Sequence, residues 1–133
     1  MPQVDLDNVR SLLESQGYIT DESIVMSTYL AMALQKPLLL EGPTGVGKTE
    51  VAKVMANALE TDLIRLQCYE GLDANAALYE WNYQRQLLHL KLEEHSAKSS
   101  EEKEATIFGE TFLLKRPLLQ AITSDKAPVL LID

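Results

Sequence analysis

Eight consecutive residues restrict this chain more than any others: Gly42-Pro43-Thr44-Gly45-Val46-Gly47-Lys48-Thr49, a glycine, any four residues, a glycine, a lysine and a threonine. The glycines let successive backbone N–H groups turn toward one centre. A helix beginning near Gly47 would aim the positive end of its dipole at the same point. Lys48 supplies a compact charge for β- and γ-phosphates, and the Thr49 hydroxyl is a ligand for Mg²⁺. A purely structural glycine turn has no need of the Lys-Thr pair. The stretch therefore reads as a phosphate cradle for ATP or a similar nucleoside triphosphate with Mg²⁺. Gly42, Pro43, Thr44, Gly45, Val46, Gly47, Lys48, Thr49 and Glu50 are the candidate nucleotide contacts, and Lys48 is also the candidate catalytic charge.

The surroundings suit such a loop. Pro37 opens the run Leu38-Leu39-Leu40, and after the loop Val51, Val54, Met55 and Ala58 recur at helical spacing, giving strand, loop, helix. From Leu63 to Cys68, apolar residues alternate with Arg65 and Gln67, which predicts an edge strand with Cys68 as a small buried hydrophobe. Val129-Leu130-Leu131-Ile132 is a continuous apolar run ending on Asp133, as in a buried strand that delivers a carboxylate to the sheet edge where α/β proteins bind ligands. Asp133 is thus a candidate for holding Mg²⁺ through water, together with Thr49. The fold class that follows is α/β, a parallel sheet flanked by helices.

Ahead of the loop, Leu6, Val9, Leu12 and Leu13 lie at helical spacing with Gly17 just beyond, which predicts a helix over residues 5–16. Thr20 is the expected cap of a second helix, with Asp21 and Glu22 in its first turn. Ile24 to Leu34 is apolar nearly all round, so that helix is expected to be buried. Further on, residues 74–92 favour a helix, with Tyr79, Trp81 and Tyr83 as core anchors. Residues 93–105 read as a solvated loop or helix extension, and Arg116-Pro117 starts a helix over 117–123. With no repeat or linker, the reading is one domain: residues 1–35 a helical preface, 36–133 the core.

Charge and cysteine usage narrow the partners. A net charge of −8 argues against non-specific binding to nucleic acid or an anionic membrane, both of which demand excess Lys and Arg. Cys68 is the single cysteine, so neither an intrachain disulfide nor a cysteine cage for a metal can form, and a reducing cytoplasm fits. The longest apolar stretches are too short to span a bilayer. His89 and His95 are six apart without ligand-type neighbours, and Lys115-Arg116 reads as a solvated helix start.

Residues 38–49, Leu-Leu-Leu-Glu-Gly-Pro-Thr-Gly-Val-Gly-Lys-Thr, resemble the Walker A strand and loop of AAA+ ATPases, and Leu130-Leu131-Ile132-Asp133 resembles the start of their Walker B strand. Within that superfamily the chain is most similar to the MoxR group. The likeness is strongest to the ATPases that accompany carbon monoxide dehydrogenase maturation, through residues 66–73 and Tyr79-Glu80-Trp81-Asn82-Tyr83, and it spans most of residues 10–133. The resemblance implies a hexamer-forming, ATP-hydrolysing chaperone that assembles or activates a partner metalloenzyme, often with a von Willebrand factor A-type protein. It also implies that Tyr18 and Ile19 lie against the adenine.

The same resemblance marks what is missing. The family follows its Walker B Asp with a catalytic Glu and later supplies a sensor residue, an arginine finger and a lid. It also places a later strand between the Walker A and Walker B strands. The chain is therefore expected to be the N-terminal portion of one incomplete AAA+ domain, carrying nucleotide binding while hydrolysis belongs to the full-length protein. A nucleotide-dependent protein-binding module without hydrolysis and a small-molecule kinase with the same loop are the alternatives, as is a short chain that packs its strands differently.

Overall fold

The computed structural model describes residues 5–18 and 21–133. Helix α1 (Leu6–Ser15) begins where the Asp5 carboxylate accepts from the backbone N–H of Asp7, and ends ahead of Gly17, whose φ of 74° is the left-handed turn expected there. Helix α2 (Glu22–Leu34) is capped by Asp21, whose side chain accepts from the Ser23 N–H, so Asp21 stands before the first turn and not within it. The expected cap, Thr20, lies outside the described residues.

Helix α3 (Lys48–Ala58) turns Val51, Val54 and Met55 inward, where they meet Val9 and Leu13 of α1 and Val25 of α2 in one cluster. The amphipathic spacing of α1 and α3 accounts for this packing. The expectation that α2 is buried all round is not met. Only Val25 and Thr28 are buried, while Met26, Leu30 and Leu34 face solvent, because α1 and the shared cluster cover a single side.

Strand β1 (Leu63–Leu66) pairs in parallel with β4 (Val129–Ile132), Leu63 opposite Val129 and Leu66 opposite Ile132. Among the described residues the parallel sheet has two strands, so β1 and β4 each have one neighbour. Three expectations fail around it. Leu38-Leu39-Leu40 joins no ladder among the described residues: Leu40 packs on the core, Leu39 is 80% exposed, and no described strand offers its backbone a partner. β4 is half-buried with Ile132 exposed, because one strand and the helices on its flank do not enclose it. Cys68 is exposed, since β1 ends at Leu66; its N–H donates to the Asp133 carbonyl at 2.6 Å.

The single helix expected over 74–92 is broken. After α4 (Ala74–Leu78), residues Tyr79–Trp81 form β2, which pairs antiparallel with β3 (Leu113–Lys115), Tyr79 opposite Lys115 and Trp81 opposite Leu113. Between them lie α5 (Tyr83–Leu92), α6 (Ser100–Ile107) and a 3-10 turn (Glu110–Phe112). Pairing with a strand more than thirty residues away overrides the local helical preference. Nor do the aromatics anchor the core: Tyr79 and Tyr83 are exposed, and Trp81 makes edge contacts with Tyr79 at 5.9 Å and Phe108 at 5.3 Å.

Helix α6 carries a reciprocal cap between Ser99 and Glu102, so the charged stretch is a helix of its own. A hydrogen bond from the Lys98 ammonium holds the Glu93 carboxyl below its ordinary ionisation range, and Lys115 does the same for Glu110. Helix α7 (Pro117–Thr123) forms where Arg116-Pro117 predicts it and returns the chain to α4, β1 and β4. No helix among the described residues is long and apolar enough to cross a membrane.

Leu13, 0% exposed, sits at the centre of the α1/α2/α3 cluster. Leu13→Ala is expected to cost about 3 kcal/mol of unfolding free energy. Denaturant titration is the check, and an unchanged midpoint would contradict this core.

Candidate nucleotide-binding site

The loop's shape comes from its glycines. Gly45 and Gly47 hold φ values of 88° and 89°, where a side chain is strained, and Gly47 is the residue from which α3 begins. Lys48, Thr49 and Glu50 form the first turn of α3, so the free N–H groups and the positive end of that helix face the loop. The Lys48 side chain arches back across the loop and donates to the Gly42 carbonyl and, at 3.3 Å, to that of Pro43. Glu50, also in that turn, pairs with Lys53 at 3.1 Å.

Tyr18 comes to this loop from the end of α1. Its hydroxyl lies 3.8 Å from the point a Cβ on Gly47 would occupy, and its ring packs on the α1/α2/α3 cluster. Tyr18, Val46 and Lys48 share the wall of a cavity of about 530 Å³ with Asp21, the cap of α2, with Ile24 of that helix and with Leu39. That volume suits a ligand of nucleotide size. Ile19, named with Tyr18 as a base contact, lies outside the described residues.

The loop fits a triphosphate in its two left-handed glycines, its place at the start of α3 and a lysine whose present acceptors are backbone carbonyls. The metal side is less prepared. Thr49 stands in the first turn of α3. Asp133 follows β4 on the same strand face as Val129, the residue of β4 that packs on the α3 cluster. Its carboxylate is engaged by the Arg65 guanidinium from β1. No group of three His, Cys, Asp or Glu side chains that could hold a metal occurs among the described residues.

Arg65 was not among the sequence candidates. Its signal was present in the strand pattern: Arg65 is opposite Leu131, two residues from Asp133 on the same face of the parallel pair. The polar rim of the cavity, Asp21, Ser23 and Ser27, also went unread, because it forms only when α2 leans over the loop.

Two paired parallel strands with a glycine loop feeding a helix define a nucleotide-binding α/β domain of the phosphate-loop class. Residues 37–124 match the AAA domain (dynein-related subfamily), and the chain belongs to that family. It is 37% identical over 68 residues to the uncharacterized protein YojN of Bacillus subtilis (strain 168), which covers 50% of this chain and 22% of YojN. It is 35% identical over 72 residues to the protein CbbQ of Allochromatium vinosum, covering 53% of this chain and 97% of that sequence. It is 38% identical over 71 residues to a Lon protease of Nitratidesulfovibrio vulgaris, 48% of this chain and 9% of the protease. The matched segment thus spans about a quarter or less of the length of the uncharacterized relatives. No solved structure matches the chain. The family match covers residues 38–49 and bears out the AAA+ resemblance read there, and membership of the family implies nucleotide binding.

A Cβ at Gly47 would meet only the Tyr18 hydroxyl, at an ordinary contact distance, so the cost of Gly47→Ala comes from the backbone. The expected loss is about 1 kcal/mol of stability. Thermal unfolding checks it; an unshifted or raised transition would mean that the loop does not need the left-handed conformation.

Proposed function

We propose that this chain binds MgATP at residues 42–50 and that, in the full-length protein, hydrolysis of that nucleotide drives assembly or activation of a partner enzyme. The observation that carries the reading is the Gly45–Gly47 turn at the start of α3, with Lys48 beside a Tyr18-walled cavity. The N–H groups of Gly45 to Thr49 would receive the phosphate oxygens. Lys48 would exchange its bonds to the Gly42 and Pro43 carbonyls for a phosphate oxygen, whose negative charge makes it the stronger acceptor for the ammonium. Tyr18, half-buried and held by the core, would offer its ring to the base. Thr49 and Asp133 would hold Mg²⁺, which when bound neutralises charge on the phosphates.

The finer parts rest on resemblance to the MoxR group: a hexameric homo-oligomer, a von Willebrand factor A-type companion, a metalloenzyme client and a cytoplasmic setting. By the same resemblance, residues 1–133 are the N-terminal portion of one AAA+ domain, and the catalytic Glu and arginine finger come from elsewhere in the full-length protein. A second reading, nucleotide-dependent protein binding without hydrolysis, is favoured by the Arg65–Asp133 pair, which occupies the carboxylate that hydrolysis requires.

Calorimetry with a non-hydrolysable ATP analogue and Mg²⁺ tests the binding reading. Lys48→Ala is expected to weaken affinity at least about tenfold, the effect of losing one charge-assisted bond. Equal binding by both chains would overturn it.

The Arg65–Asp133 pair is half exposed, with side chains 50% and 39% accessible, so releasing it is worth at most about 1 kcal/mol. Arg65→Ala should therefore lower the Mg²⁺ concentration needed for half-maximal analogue binding by about threefold. An unchanged or raised Mg²⁺ requirement would remove Asp133 from the metal site.

A further inference from the structure

Residues 79–115 leave the core between α4 and α7 and come back through the β2/β3 stem, with α5, α6 and the 3-10 turn packed chiefly on one another. This limb buries the wrong residue for a helix that serves only its own packing. On α5, Gln86 is buried, its amide donating to the Ile107 carbonyl at 2.6 Å. Tyr83, Leu87, Leu88 and Leu92 are 64%, 61%, 57% and 77% exposed. Leaving that much apolar surface wet on one helix is characteristic of a surface that another protein covers.

Leu88 and Leu92, one turn apart, form with Phe112 the apolar walls of a groove of about 360 Å³, and Arg85 stands at its side. Three of the chain's four arginines, Arg10, Arg65 and Arg116, have carboxylate partners. Arg85 has none among the described residues. One guanidinium nitrogen donates to the Thr111 carbonyl at 3.3 Å, and the group lies over the Phe112 ring, 5.7 Å from its centre. In a chain with 20 acidic and 12 basic residues, carboxylates are the abundant counter-ion, yet this guanidinium is held by an aromatic face beside exposed leucines. An arginine stacked in this way loses little freedom on gaining a carboxylate, and arginine next to aromatic and aliphatic groups is a common energetic centre of interfaces.

We infer that the groove of α5 and the 3-10 turn docks an amphipathic helix of a partner protein, with the helix's apolar side chains on Leu88 and Leu92, above the buried Phe112 ring, and one of its carboxylates on Arg85. The one-turn spacing of Leu88 and Leu92 matches the i, i+4 spacing of side chains on such a helix. The net charge of −8 disfavours an anionic lipid surface as the occupant. The inference rests on the reading that the chain acts on a partner protein and names the chemistry of the contact.

Fluorescence anisotropy of the full chain with two synthetic helical peptides is the test. Both carry leucines one turn apart and differ only in a flanking Glu or Lys. The Glu peptide is expected to bind saturably and the Lys peptide at least about tenfold more weakly. Arg85→Glu should invert that preference, and Leu88→Ser with Leu92→Ser should abolish binding of both. Because these side chains are exposed, melting temperatures should stay within a few degrees of the parent. The comparison of peptides on the unaltered chain stands even where a variant fails to fold. Absence of saturable binding, or a preference indifferent to Arg85→Glu, overturns the groove. So does self-association by sedimentation that the leucine changes remove, since the occupant would then be a second copy. Titrating the ATP analogue into the same samples separates the outcomes: peptide binding lost with nucleotide binding intact rejects the groove alone, whereas loss of both rejects the functional reading beneath it.

Discussion

Everything that gives the phosphate loop its position depends on α3 being gripped from one side. Val51, Val54 and Met55 interlock with Val9, Leu13 and Val25, and each such side chain contributes roughly 1.5–3 kcal/mol when fully buried. Because α3 starts at Lys48, fixing its axis fixes the direction of the helix dipole and of the first-turn N–H groups. The same cluster holds the Tyr18 ring, so one apolar contact sets both the phosphate end and the far wall of the cavity. The helical preface is consequently part of the site.

What could be read from the sequence was whatever a few adjacent residues decide. Gly45 and Gly47 are in the left-handed region because the turn demands it, Gly17 ends α1 for the same reason, and Pro117 opens α7 where its fixed φ is tolerated. Distant partners decide the rest. The apolar character of Ile24 to Leu34 does not say how many neighbours surround the helix, and here one side is covered. Tyr79–Trp81 becomes a strand only because Leu113–Lys115 returns to it, and Leu38–Leu40 remains unpaired because no described strand lies alongside. Of the site, residues 42–49 were legible from chemistry alone. The Tyr18 contact came through family resemblance, and the Arg65–Asp133 pair needed the register of β1 on β4.

The chain thus has two structurally distinct regions. The packed half, α1 to α3 with the β1/β4 pair, holds the glycine loop at the start of α3. The limb on the β2/β3 stem carries exposed leucines and an arginine without a carboxylate partner among the described residues. Helices α4 and α7 join the two: both flank the stem, and α7 also packs on β1 and β4. A shift in the sheet that leads to Asp133 would reach the limb through α7.

The most direct measurement is a backbone amide NMR titration of the chain with a non-hydrolysable ATP analogue and Mg²⁺. The expected result is large shifts confined to the amides of Gly45, Gly47, Lys48 and Thr49, with contacts between the base protons and the Tyr18 ring. Shifts clustered away from residues 42–50, or none at saturating analogue, would contradict the assignment of the loop as the nucleotide site.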